Sequence, residues 1–133
     1  MTTKDAWSGK RVSLAHGAGG RAMRELVTGL IAPAFDNGWL APLEDQARFP
    51  YGEIPAGASL AFTTDSYVVS PLAFAGGDIG TLAVCGTVND LAVGGAVPRW
   101  LSCALILEEG LPFDTLRSVL ASMARCAREA GVA

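Results

Sequence analysis

The chain has 133 residues, of which 50% are hydrophobic and 17% charged, and its formal net charge is −3. This supplies enough apolar material for one folded domain and too little charge for a disordered segment. The ten scattered Lys and Arg residues form no basic stripe, and apolar stretches such as 101–107 fall far short of the roughly 20 residues a membrane helix needs, so neither nucleic acid nor membrane is expected as a partner.

Residues 1–10 carry charges but no apolar segment of a secretory signal. Cys85, Cys103 and Cys126 have neither zinc-site spacing nor the pairing of a disulfide framework. A cytoplasmic protein with buried free thiols is the expectation.

Val12 and Leu14 suggest a short first strand or extended arm, which runs into the loop His16-Gly17-Ala18-Gly19-Gly20. Met23, Leu26, Val27, Leu30 and Ile31 then recur at helical spacing, with Pro33 marking the helix end. Residues 34–58 read as a long loop with a short strand near 47–49. The alternation in 59–69 predicts a strand. Gly76 and Gly77 break the chain before Asp78, which is placed to cap a helix through Thr81, Leu82, Val84, Val88 and Leu91. Gly94-Gly95 ends that helix. Residues 100–107 read as a buried strand and Glu108-Glu109-Gly110 as a solvated turn. A final helix after Pro112 has Leu116, Val119, Leu120, Met123, Ala124 and Ala127 as its buried stripe and Gly131 as its C-cap. Val132-Ala133 look like the start of another strand, so the sheet is expected to be incomplete at this point. The alternation of strands and helices predicts an α+β two-layer sandwich, a mixed sheet with helices on one face.

Two features could carry chemistry. Glycines at 17, 19 and 20 open a helix, where backbone amides can hold phosphate; a simple turn explains them equally, and the missing lysine excludes a P-loop. Asp65 and Asp90, the latter beside Asn89, sit in strongly apolar surroundings, and a carboxylate there needs a cation, hydrogen bonds or solvent. Carboxylates from separate elements suit Mg²⁺, whereas a turn cap for Asp65 and a water-facing Asp90 are the plain alternative. His16, the one histidine, could touch phosphate, move a proton, or be incidental. Trp39 and Trp100 read as packing residues.

The motifs in order resemble the HypE family. Leu14-Ala15-His16-Gly17-Ala18-Gly19-Gly20, Glu44-Asp45-Gln46-Ala47, Thr63-Thr64-Asp65-Ser66, Gly76-Gly77-Asp78-Ile79-Gly80, Val88-Asn89-Asp90-Leu91-Ala92 and Pro98-Arg99-Trp100-Leu101 carry the likeness. With Ile106-Leu107-Glu108-Glu109-Gly110-Leu111-Pro112 the likeness runs in family order over residues 12–131. HypE belongs with aminoimidazole ribonucleotide synthetase and selenide water dikinase. The resemblance implies an N-terminal ATP-binding domain over 1–133 whose sheet pairs with a second copy into a barrel-like homodimer. It implies ATP and Mg²⁺ as cofactors, with Asp45, Asp65 and Asp90 as metal ligands and Asn89 in support. His16, Gly17, Gly19 and Gly20 would close over the nucleotide. Only the resemblance singles out Asp45.

The reaction implied is ATP-dependent dehydration of an S-carbamoyl cysteine to thiocyanate, with HypF as carbamoyl donor and the HypC–HypD complex as cyanide acceptor in hydrogenase maturation. None of the three cysteines matches the family's C-terminal tail position, and neither the T-G-D-T-K segment expected soon after Val132 nor the second domain is present. No catalytic residue is therefore expected in this stretch, which should not complete the reaction alone. Two other readings compete. One is a dimerisation and docking module that binds no nucleotide. The other is a different ATP-using branch such as selenide water dikinase, disfavoured because a reactive N-terminal cysteine is absent and the first is Cys85.

Overall fold

A computed structural model describes residues 6–49, 52 and 55–133. An N-terminal arm pairs antiparallel with the far end of the chain. Arg11 bridges Pro112, Val12 N–H donates to the Leu111 carbonyl at 2.8 Å, and Phe113 N–H to the Lys10 carbonyl at 3.1 Å. The arm ends in a 3-10 turn, Leu14–His16, instead of continuing as a strand.

The first helical region runs further than its proline suggested. α1 (Arg21–Leu26) passes into a π-helical segment (Val27–Ile31) and then α2 (Ala32–Phe35). Ala32 N–H reaches back five residues to the Val27 carbonyl. Pro33 thus stands in the first turn of α2, directly after this wider turn, where the ring is best tolerated.

β1 (Ala73–Phe74) and β2 (Gly77–Asp78) form an antiparallel hairpin, Phe74 opposite Gly77, with Gly76 at φ 96° in the turn. Of the two glycines read as a break, Gly76 follows Ala75 in the hairpin turn and Gly77 opens β2. Asp78 ends β2 and caps α3 (Ile79–Val93), as its position predicts: its Oδ1 accepts the Thr81 amide at 2.8 Å. α4 (Phe113–Ala130) starts after Pro112 and closes on Gly131 in the left-handed conformation.

The core lies between the helices. Phe113, Leu116 and Leu120 pack with Val12, Leu26 and Leu30, and Met123 and Cys126 pack with Val84 of α3. Each such side chain, fully buried, contributes about 1.5–3 kcal/mol. Where α3 meets α4 the backbones nearly touch. A Cβ on Gly80 would stand 2.5 Å from the Ser122 hydroxyl, 2.5 Å from the Val119 carbonyl and 2.8 Å from Met123 Cγ. Glycine is what lets the helices meet there.

The buried Ser122 hydroxyl donates to Asp78 Oδ1 at 2.6 Å, joining the α3 cap to α4. Partial burial, the strongest single influence, pushes the Asp78 carboxyl up, but the bonds from Ser122, Thr81 and Gly80 outweigh it and hold it below its ordinary value. The stabilisation from a depressed carboxyl is fully present above the unfolded value of about 3.9 and disappears as pH falls through the folded one. Asp78→Asn should therefore cost about 1 kcal/mol at neutral pH, a cost that shrinks below about pH 4. Urea unfolding of both proteins at pH 7 and pH 3 reads this directly, and a pH-independent difference would refute it.

The structure is α+β, but its only ladder among the described residues is the two-stranded antiparallel hairpin, not the mixed sheet expected. Segments 59–69 and 100–107 have no strand ladder and residues 47–49 are irregular. The described residues offer these segments no continuous edge to pair with, and residues 102–104 and 106 are exposed instead of buried as expected. Phe62, Val68 and Ile106 consequently lie 81%, 96% and 101% exposed. One parallel contact exists: Leu101 N–H donates to the Ala133 carbonyl at 2.8 Å and Ala133 N–H to the Arg99 carbonyl at 3.0 Å. Ala133 thereby lies opposite Trp100, in keeping with the strand start expected at 132–133.

The thiols need one correction. Cys126 is buried, but Cys85 and Cys103 are exposed, and none is in a disulfide. Partial burial and the neighbouring Cys126 push the Cys85 thiol up. No helix among the described residues is long and apolar enough to cross a membrane.

Candidate functional site

Asp65, Tyr67, Thr87 and Asp90 gather in a polar cluster at the surface, around the Tyr67 phenol. In an extended chain, residues two apart share a face, so Asp65 and Tyr67 point the same way. On a helix, residues three and four apart are neighbours, which puts Gly86, Thr87 and Asp90 on one side of α3. Tyr67 joins the two sets. Its phenol donates to Asp65 Oδ2 at 2.9 Å and lies 3.3 Å from Thr87 Oγ1. The phenol has one proton, and it goes to the carboxylate; the Thr87 hydroxyl is therefore the donor in the second bond.

The ring fits because position 86 has no side chain. A Cβ on Gly86 would collide with the Tyr67 hydroxyl. The bond from Thr87 is the largest influence on the phenol and favours its ionised form. Partial burial and the carboxylates of Asp65 and Asp90 outweigh it and raise Tyr67 above its ordinary value. The phenol therefore stays protonated and remains a donor at neutral pH.

Both aspartates are solvent-exposed rather than buried, as is Asn89. Their apolar sequence neighbours do not enclose them, because segment 59–69 has no sheet partner and both of its faces meet water. Asp45 is also exposed. It sits in the loop held down by Trp39, Phe49 and Trp100, whose ring centroids lie 4.3–5.9 Å apart. Those tryptophans are packing residues, as expected. Among the described residues, no three His, Cys, Asp or Glu side chains converge on a point that would hold a metal ion. The described residues build no closed metal cage, although hard carboxylate oxygens open to solvent suit a Mg²⁺ ion that keeps phosphate and water ligands.

The glycine loop lies elsewhere. His16 and Gly17 line a cavity of about 340 Å³ together with Val12, Met23, Leu105 and Leu107. The Ser13 amide nitrogen and hydroxyl each lie 3.0 Å from His16 Nδ1, and the Ser13 carbonyl lies 3.2 Å from it, so the imidazole folds back on its own turn. The imidazole also meets the edge of Phe113, with centroids 5.2 Å apart. Gly19 has φ 74°, and Gly20 is the N-cap of α1; both are exposed.

Residue-type reasoning missed Tyr67, Thr87 and Gly86, though the spacings just described mark them. It also read Glu109 as a solvated turn residue only. Glu109 is exposed, yet its Oε1 accepts the Leu14 amide at 3.3 Å and it lines the cavity beside His16.

Residues 43–133 match the family described as AIR synthase related protein, N-terminal domain. Over 123 residues the chain is 58% identical to the carbamoyl dehydratase HypE of Escherichia coli K12, covering 92% of this chain and 37% of that protein. Over 124 residues it is 57% identical to the carbamoyl dehydratase HypE of Rhodobacter capsulatus, covering 92% and 36%. The chain thus spans little more than a third of the length of these relatives. Its fold is similar to the crystal structure of hydrogenase maturation protein HypE in complex with ATP, with a TM-score of 0.83 and 54% identity, covering 90% of this chain and 34% of the other. The chain belongs to the AIR synthase related family through its N-terminal domain, and it shares more than half of its aligned residues with the HypE proteins.

Proposed function

We propose that this chain is the ATP-holding, dimer-forming N-terminal domain of a carbamoyl dehydratase in hydrogenase maturation. The observation that carries the proposal is the likeness, over 90% of the chain, to a HypE structure in complex with ATP. In this reading Asp65 and Asp90, with Asp45 as a third acidic side chain and Asn89 beside them, face the nucleotide phosphates. His16, Gly17, Gly19 and Gly20 form the segment that closes on it. Mg²⁺, when bound, would neutralise charge between phosphates and carboxylates.

The whole protein would convert an S-carbamoyl cysteine of its C-terminal tail into a thiocyanate. The carboxamide oxygen attacks the γ-phosphoryl group and ADP leaves. Loss of phosphate and of the two amide protons then forms the C≡N bond. An amide oxygen is a poor leaving group and a phosphate a good one, which is why ATP is consumed. HypF would supply the carbamoyl group, and the HypC–HypD complex would accept the cyanide. Three exposed apolar side chains, Phe62, Val68 and Ile106, support a homodimer in which segments 59–69 and 100–107 pair with those of a second copy into a barrel-like sheet.

Calorimetric titration with Mg-ATP, alongside sedimentation to count subunits, tests this reading. A dimer that binds ATP is expected, and Asp65→Ala or Asp90→Ala should weaken binding tenfold or more, roughly 1.4 kcal/mol. A monomer indifferent to ATP, or binding unchanged in both variants, defeats it.

A further inference from the structure

Among the described residues the Asp65 carboxylate takes one hydrogen bond, from the Tyr67 phenol to Oδ2. The segment carrying both residues has no ladder to fix it, so this bond is what limits the carboxylate's rotation. Every neighbour of the phenol serves that orientation. Thr87 donates to the ring oxygen, which commits the single phenolic proton to Asp65. Gly86 vacates the space the hydroxyl occupies. Asp90, on the same side of α3, adds negative charge next to the phenol. With Oδ2 taken, Oδ1 is left for a ligand, and two exposed carboxylates flanking one phenol attract a cation.

We propose that Tyr67 is a positioning residue of this site: it holds the Asp65 carboxylate against α3, beside Asp90, with one oxygen presented to a divalent cation that arrives with nucleotide phosphates. The inference rests on the nucleotide-site reading above. It adds to that reading the residue that sets the geometry of the first carboxylate. An untethered Asp65 would still carry its charge, so losing the tether should weaken the response to the metal more than the grip on the nucleotide itself.

The experiment measures ATP affinity of the intact protein as Mg²⁺ is titrated, for wild type, Tyr67→Phe, Asp65→Asn and the double variant, with melting curves to establish folding. Tyr67→Phe should raise the Mg²⁺ concentration for half-maximal ATP binding about fivefold, the size of one ordinary hydrogen bond. ATP affinity at saturating Mg²⁺ should change by less than about twofold. In the Asp65→Asn background the same substitution should add nothing, because its effect passes through Asp65. Gly86→Ala, which displaces the ring without removing its hydroxyl, should reproduce the Tyr67→Phe shift. If Asp65→Asn shifts the Mg²⁺ dependence and Tyr67→Phe does not, or if the two effects add, the positioning role is overturned and the nucleotide site stands. If Asp65→Asn leaves the Mg²⁺ dependence unchanged, the site reading falls and this inference with it.

Discussion

Phe113→Ala is expected to lower stability by about 3–5 kcal/mol, the largest effect of any single truncation in this chain. Phe113 is 1% exposed and stands where three parts of the molecule meet. It begins α4, it joins the Val12–Leu26–Leu30 core, and its ring stands in T-shaped pairs with Trp7 at 4.8 Å and His16 at 5.2 Å. Truncation to Ala therefore does more than open a cavity. It removes the surface on which the N-terminal arm and the loop at His16 rest, and aromatic pairs contribute about 0.5–1.5 kcal/mol each beyond their buried area. A domain of this size has only about 5–15 kcal/mol in all, so the variant should be partly unfolded near 37 °C. Urea unfolding followed by tryptophan fluorescence gives the measurement. A loss below about 1.5 kcal/mol would mean the arm does not depend on this ring.

Gly80→Ala is the second. On an exposed helix the change would add about 1 kcal/mol, because alanine is the better helix former. Here the sign reverses. The new methyl group would meet the Ser122 hydroxyl and the Val119 carbonyl, both at 2.5 Å, and the carbonyl belongs to a helix backbone that cannot rotate away. Relief requires α3 and α4 to separate, which also stretches the 2.6 Å bond from Ser122 to Asp78. Overpacking of about 1–3 kcal/mol and a weakened bond to a charged acceptor of about 1.5–3 kcal/mol outweigh the helical gain. A net loss of about 2 kcal/mol is expected, some 6–12 °C in melting temperature. A melting temperature unchanged or raised would show that the helices are not in contact at this point.

The helices were legible in the sequence because their signals are local. The stripe of α4, the Asp78 cap and the Gly131 stop each involve residues within a few positions of one another. The Asp78–Ser122 bond was not legible, since nothing in either neighbourhood refers to the other. Pro33 misled for a related reason: a proline stops a regular α-helix, and only the π-helical turn ahead of it made continuation possible. The strands expected at 59–69 and 100–107 do not form among the described residues, and the second is largely exposed instead of buried, because a strand is completed by its partner. For the candidate site, Asp65 and Asp90 stood out by residue type. Tyr67 did not, because a tyrosine in an apolar run reads as packing until its hydroxyl is seen on a carboxylate.

The parallel contact between Trp100 and Ala133 bears on how the molecule assembles. The two residues are separated by the whole of α4. Bringing them together closes a loop of about thirty residues, at an entropic cost of roughly 3 kcal/mol before either hydrogen bond forms. The bonds of α4 close turns of a few residues and form on far shorter times. Once α4 is helical, it spans most of the gap as a rigid rod and little chain remains to be searched. The order of events is therefore set by geometry: the helix is laid down first, and the pairing of Ala133 with Trp100 follows as a late, non-local step.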